Sequence, residues 1–246
     1  MTQPLQGIKV LDFSMGVAGP HAGMLLAQHG ADVVKIETRE GDWTRVMGRR
    51  VGDLTAFSVV YNQGKRGLAI DLKSPLGREA ARQMVRQADV LIEAFRPGVM
   101  DRFGLGWGDL QPLNPRLVYL SVSGFGAKGP RASKPGTDLV LQAYTGLMHG
   151  NRDENELPRH IDFQLIDAVT GLYAYHAIAG ALFDIARNGS AGRHIDCSLM
   201  AGALAYQSAK IAEAHLEGGV RPDYVPLGVF ATADGHVALS TRRDDH

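Results

Sequence analysis

The chain has 246 residues, 45% hydrophobic and 21% charged, an ordinary globular composition that excludes a disordered tail, a collagen-like repeat and a coiled coil. Lysine plus arginine equals aspartate plus glutamate at 26 each, so the basic excess of a dedicated nucleic-acid binder is missing. The single cysteine, Cys197, excludes an intrachain disulfide framework and a cysteine-based zinc cluster.

Glycine is the outlier at 30 residues, well above the usual roughly 7%. It predicts many tight loops and close backbone approach to a ligand. At roughly 150 residues per domain the length corresponds to between one and two domains. The first positive charge is Lys9, and Asp12 interrupts the apolar stretch after it, which is not a signal-peptide pattern. The uncharged run 13–31 is broken by four glycines and Pro20. The run 168–183 is too short for a bilayer core at roughly 1.5 Å per residue, and reads as a buried helix. A soluble, cytoplasmic protein with no membrane or nucleic-acid partner is expected.

Residues 8–14 read as a strand, 16–20 as a loop, and a helix follows with Pro20 in its first position and Gly30 as its cap. Residues 32–37 form a second strand, completing a βαβ unit. Residues 38–64 read as a charged loop. A third strand is predicted at 67–72, then a helix capped by Ser74 with Pro75 at its first position. A fourth strand at 89–94, two short helical pieces and a fifth strand at 116–122 follow. This alternation predicts a doubly wound α/β domain. The glycine-rich loop 124–130 then falls at the end of a strand, where such sheets bind ligands. Helices are predicted over 138–148, 167–187 and 199–216, with a short strand at 193–198. A linker is predicted at 218–226, and a hairpin at 229–240 turns on Asp234 and Gly235.

The loop 16–23 follows a strand and opens a helix, an arrangement suited to a phosphate. Glu37 closes the second strand, where dinucleotide folds hold a ribose-binding acid. The G-x-G-x-x-G spacing is absent, so a tight turn without a ligand stays open. Arg39, Lys73, Arg102 and Lys134 follow strands or lie in loops near them and could neutralise a diphosphate or a 3′-phosphate; taken singly, each reads more often as a solvated surface charge. Asp167 opens the long helix. It reads either as a helix cap or as a carboxylate nucleophile that the helix dipole keeps ionised. Asp162 is its rival. His160, His176 and His194 form no metal pair, and Cys197 reads as inert.

Many short motifs occur in a fixed order: LQGIKVLDFS at 5–14, VAGP at 17–20, GADVVKIE at 30–37, GDWTR at 41–45 and NQGKR at 62–66. DLK at 71–73, ADVLIE at 88–93, FRPG at 95–98, NPRL at 114–117, SGFG at 123–126 and TADG at 232–235 continue the series. Together they resemble class III CoA-transferases, the family of formyl-CoA transferase and the carnitine CoA-transferases, with α-methylacyl-CoA racemase as a relative.

The resemblance implies a Rossmann-like large domain over 1–220 and, over 221–246, a linker and the start of a small second domain. It also implies a shortened chain that lacks a final returning segment, and an interlocked homodimer. The catalytic aspartate of the family falls on Asp167. The CoA-contacting positions fall on Val17, Ala18, Arg39, Ile70, Lys73, Phe95, Arg102 and Lys134. No prosthetic group or metal is expected; coenzyme A and a small carboxylic acid are substrates. Two departures stand out. Ala94 replaces a frequent asparagine, and Thr137 replaces the racemase histidine, which favours CoA transfer over racemisation. A non-catalytic CoA-binding fragment is the remaining alternative.

Overall fold

The structure is a computed structural model that describes residues 3–153, 155–217 and 227–240. The predicted linker 218–226 lies outside the described residues. Two units separate, residues 1–206 and 207–246.

In the first unit the elements run β1 (Lys9–Asp12), α1 (Ala18–Gln28), β2 (Asp32–Glu37), a 3-10 turn (Trp43–Val46), β3 (Arg50–Val51), β4 (Leu54–Thr55), α2 (Ala56–Val60), β5 (Arg66–Ala69) and α3 (Pro75–Val85). They continue with β6 (Val90–Glu93), α4 (Val99–Arg102), α5 (Trp107–Leu110), β7 (Val118–Ser123), α6 (Asp138–Tyr144), α7 (Leu147–Gly150), α8 (Leu165–Asn188), β8 (Arg193–Ser198) and α9 (Leu199–Tyr206).

Six strands form one sheet in the order β5-β2-β1-β6-β7-β8, and every pairing is parallel. Counted in chain order these are strands 3-2-1-4-5-6, the doubly wound order, whose direction reverses between β1 and β6. The two-residue period of the strands divides the core. Val10, Val33, Val90, Ile92, Val118 and Leu120 face α1, α8 and α9. Leu11, Ile36, Leu91, Leu117 and Tyr119 pack with Ala81 and Val85 of α3 and Met100 of α4 on the other side. The predicted α/β class is therefore observed.

Helix α8 is long and apolar enough, by length and composition, to cross a membrane. Here it buries Ile166, Thr170, Gly171, Ala174, Ile178, Ala181 and Ile185, a stripe at helical spacing. Gly171 lets it approach α1, since a Cβ there would lie 2.8 Å from the Ala18 carbonyl oxygen.

Several boundaries differ from the sequence reading. Helix α1 begins at Ala18, with Val17 at its N-cap, so Pro20 occupies the third helical position. Its missing N–H is an unpaired first-turn donor there as well. The predicted loop 38–64 contains the 3-10 turn, the β3–β4 hairpin and α2; Thr55 caps α2 through Ser58. The helix predicted over 138–148 breaks into α6 and α7 at Gly146, whose φ is +80°. Asp167 is not the N-cap of α8. Gln164 holds that position and Asp167 lies within the first turn.

The second unit contains α10 (Ser208–Glu217), β9 (Leu227–Ala231) and β10 (His236–Ser240). The strands pair antiparallel, and the turn closes with the Thr232 N–H donating to the Gly235 carbonyl at 2.9 Å, as predicted from Asp234-Gly235. The helix predicted over 199–216 is two helices, ending at Tyr206 and restarting at Ser208.

Candidate functional site

A cavity of ≈ 210 Å³ opens where the sheet reverses direction. Val17, Ala18 and Gly19 after β1, Ala94 after β6 and Ser123 and Gly124 at the end of β7 line it. Trp43, Thr137, Asp167 and Leu199 complete the wall. The ends of three parallel strands and the first turns of two helices thus converge on one carboxyl group, that of Asp167.

Two glycines shape this cavity. Gly16 has a φ of +84°, and a Cβ there would lie 2.7 Å from the Trp43 ring, so only glycine lets the indole cover the loop. At the opposite wall a Cβ on Gly124 would sit 2.5 Å from the Gly136 Cα. That neighbour is backbone and cannot rotate away. Gly124→Ala is expected to lower stability by about 1–3 kcal/mol in urea unfolding, the usual cost of overpacking. Gly180→Ala, in a helix with nothing within 4 Å of the new Cβ, is the control that leaves stability equal or higher.

Below the floor lies a buried network of charges. Asp12 pairs with Lys65 at 2.7 Å and Lys35 with Asp42 at 3.1 Å, with all four side chains enclosed. Asp42 also accepts from the Gly16 N–H at 3.1 Å and the Thr44 N–H at 2.9 Å. Lys35 donates to the Ser14 carbonyl, and Lys65 to the Pro20 carbonyl at 2.8 Å. The segment 14–20 is therefore tied down from beneath. The Gly16 N–H is spent on Asp42, whereas no side chain caps α1 at Val17. The N–H groups of a helix's first turn lack intrahelical partners, so this end of α1 suits a developing oxyanion beside the Asp167 carboxyl.

Burial pushes the Asp167 carboxyl up to about 7, and the Asp138 charge adds to it. This corrects the expectation that the helix dipole keeps Asp167 ionised: desolvation and a like charge outweigh it. The Asp167 charge is felt in turn by Tyr61, which burial and then Asp167 and Asp138 push upward. Asp162, the sequence rival, projects into solvent with His160 at 3.5 Å, far from any such enclosure.

The other candidates divide. Val17 and Ala18 are buried and line the cavity with Asp167. Phe95 lines a neighbouring cavity of ≈ 110 Å³ with Glu93, Trp107 and His194. Arg39, Lys73, Arg102 and Lys134 are exposed and Ile70 half-buried. None of these five lines the Asp167 cavity, although Arg39, Ile70 and Lys73 follow the ends of β2 and β5 on the same rim of the sheet.

Glu37 is not available to a ribose. Arg45 holds it bidentately at 3.0 and 2.7 Å, and the Asp42 N–H donates to it at 2.9 Å. Cys197 is half-buried with its thiol pushed up to about 11 by burial and Asp196, an inert setting. His194 bonds Ser121 at 2.9 Å and stacks on Trp107. Trp43, Gly136 and Leu199 were not singled out from sequence, and Thr137 only as the residue at the racemase histidine position. Trp43 lies in the GDWTR stretch and Gly16 in the loop 16–23 noted there, but their convergence depends on the fold.

A family model described as CoA-transferase family III matches residues 5–246. The chain belongs to that family. Among similar proteins, the succinate–glutarate CoA-transferase of Agrobacterium fabrum is 37% identical, covering 98% of this chain and 64% of its own length. The succinyl-CoA:glutarate CoA-transferase of Homo sapiens is 35% identical, covering 96% and 56%. A CAIB/BAIF family protein from Brucella suis, whose structure is solved, superposes with a TM-score of 0.87 at 34% identity, over 96% of this chain and 65% of its own. The chain thus spans less than two thirds of the length of each of these three relatives.

Proposed function

We propose that this protein transfers coenzyme A between an acyl-CoA thioester and a small carboxylic acid, with Asp167 as the covalent nucleophile. The observation that carries this reading is the single carboxyl group of the cavity, placed beside an uncapped helix start at the reversal point of the sheet. The relatives' printed names pair CoA with succinate and glutarate, which supports a short-chain acid as partner. Val17 and Ala18 contact the thioester end, while Arg39, Ile70, Lys73, Phe95, Arg102 and Lys134 hold the rest of CoA along the rim. The residue at the racemase histidine position is Thr137, and it lines the cavity; a hydroxyl group there supplies no second base for α-proton exchange. The reading takes residues 221–246 as the start of a smaller domain, and an interlocked homodimer in the cytoplasm as the working form.

The chemistry balances without a further reagent. An Asp167 oxygen attacks the thioester carbonyl, the C–S bond breaks, and CoA leaves as thiolate, so that the acyl group and Asp167 form a mixed anhydride. The thiolate attacks the Asp167 Cγ, which releases the donor acid and leaves an aspartyl-CoA thioester. The acceptor carboxylate attacks that thioester, re-forming an anhydride and thiolate. Attack of the thiolate on the new acyl carbonyl then restores Asp167. Closure of the cavity has to keep water from the anhydride.

The test is incubation with acetyl-, succinyl- and glutaryl-CoA, quenching in hydroxylamine and peptide mass spectrometry. A hydroxamate on Asp167 is expected with at least one donor. Binding of CoA without any label on Asp167 would instead mark a CoA-binding fragment.

A further inference from the structure

We propose that Asp138 is the positioning residue of this site: from α6 it caps the first turn of α8 and fixes the Asp167 backbone. The inference rests on the assignment of Asp167 as nucleophile. The Asp138 Oδ2 accepts from the Asp167 N–H at 2.9 Å. That N–H is one of the first-turn donors that Gln164, the N-cap residue, leaves without a side-chain partner. A helix cap is usually local, whereas this one comes from 29 residues away in the chain.

Asp138 is itself held. Its Oδ1 accepts from Gln142 Nε2 at 2.6 Å. Gln142 in turn brackets Ile161, accepting from its N–H at 2.9 Å and donating to its carbonyl at 3.2 Å. Asp138 is 8% exposed and Gln142 1%. The approach to α8 is thus locked at Ile161 and at Asp167, one turn of α6 serving both. Thr137, which precedes Asp138 as the N-cap of α6, lines the cavity with Asp167. One short element therefore places a wall residue and the reacting residue together.

Asp138 also presents a negative charge to the Asp167 carboxyl. The other titratable groups around it are Tyr61, after α2, and His21 of α1, whose Nδ1–H donates to the Ala168 carbonyl at 3.1 Å. Two consequences follow. Asp138→Asn keeps an oxygen to accept from the Asp167 N–H but removes the charge; Asp138→Ala removes both.

The expected result for Asp138→Asn is an acid limb of kcat that moves to lower pH. In Asp138→Ala, kcat falls by about 10²-fold, as for a misplaced reacting group, with KM for acyl-CoA within twofold of the parent. A structural role alone lowers the folded fraction and leaves the limb in place. An unmoved limb in folded Asp138→Asn, or equal kcat in Asp138→Ala and the parent, overturns the proposal.

A second measurement needs no turnover. The ¹³Cγ signal of Asp167 should titrate at lower pH in folded Asp138→Asn than in the parent, because one of the two causes that raise it is gone. An unmoved Asp167 midpoint counts against the proposal. This readout is separate from hydroxamate formation. A moved midpoint without a label defeats the nucleophile assignment and leaves Asp138 facing Asp167, whereas a label with an unmoved midpoint does the reverse.

Discussion

Asp167→Asn is expected to abolish acyl transfer and, at the same time, to make the protein more stable above neutral pH. Loss of a covalent nucleophile costs on the order of 10⁴-fold or more in kcat, and hydroxamate on residue 167 should disappear. The stability effect follows from where the carboxyl sits. Burial, then the Asp138 charge, raises it from 3.8 to about 7, so the folded state binds this proton more tightly than the unfolded chain. Its contribution to stability is complete below pH 3.8, falls as pH rises through the window to 7, and stays low above it. A shift of this size corresponds to about 4 kcal/mol without screening; the partial exposure of Asp167 reduces it to roughly 2. An asparagine amide is never ionised, so the variant escapes the penalty. Urea unfolding should show Asp167→Asn more stable by that amount at pH 8 and equal to the parent at pH 4. The same difference at both pH values would show that the charge on Asp167 is not what strains the site. A site residue that costs stability is what a nucleophile held ready in an enclosed cavity implies.

The inner strands β1, β2, β6 and β7 were legible because they are short Val/Ile/Leu runs bounded by glycine and charged residues. Parallel strands buried on both faces carry that signal strongly. The helix caps were legible where they are local: Ser74 accepts from the Gly77 N–H at 2.9 Å with Pro75 in first position. What failed was non-local. Residues 38–64 looked like a charged loop because Asp42 and Arg45 are charged. In the fold Asp42 is fully enclosed by Lys35 and backbone N–H groups, and the half-buried Arg45 is paired with Glu37. Glu37 occupies the ribose-acid position but is saturated by Arg45, a partner eight residues away that no spacing rule identifies. Asp167 stood out because it opens a long apolar helix. Its rivalry with Asp162 could be decided only by enclosure, which the strand ends provide. Asp138 was visible merely as the first residue of a predicted helix, since its role depends on a contact with residue 167.

Lys65→Ala should be the most damaging single change outside the cavity, lowering stability by about 3–5 kcal/mol. Asp12 lies at the end of β1 on the face of Val10, turned toward α1, where an apolar residue would be ordinary. Burial works to raise its carboxyl. The Lys65 and Lys35 charges, with hydrogen bonds from Lys65 and Ser14, reverse that and hold it below its usual range. Asp12 is thus an ion without access to water, and Lys65, at 2.7 Å, is its closest cation. Removing one partner of such a pair leaves a buried charge uncompensated, which costs more than the pair itself contributes. Lys35 softens the loss but is already engaged with Asp42 and the Ser14 carbonyl. Lys65 also releases the Pro20 carbonyl when truncated, so the first turn of α1 loosens and affinity for CoA falls with stability. The double variant Asp12→Leu/Lys65→Met removes both charges and is expected to recover part of the folding free energy, because an apolar pair needs no compensating charge, while the buried Ser14 N–H and hydroxyl lose the Asp12 acceptor. It should not recover CoA binding, since methionine cannot restore the Lys65 bond to the Pro20 carbonyl. Urea unfolding of the two variants with CoA titration by calorimetry separates the two effects. A loss below about 1 kcal/mol in Lys65→Ala, the scale of an exposed pair, would mean that water reaches Asp12 and that the network is not what supports the cavity floor.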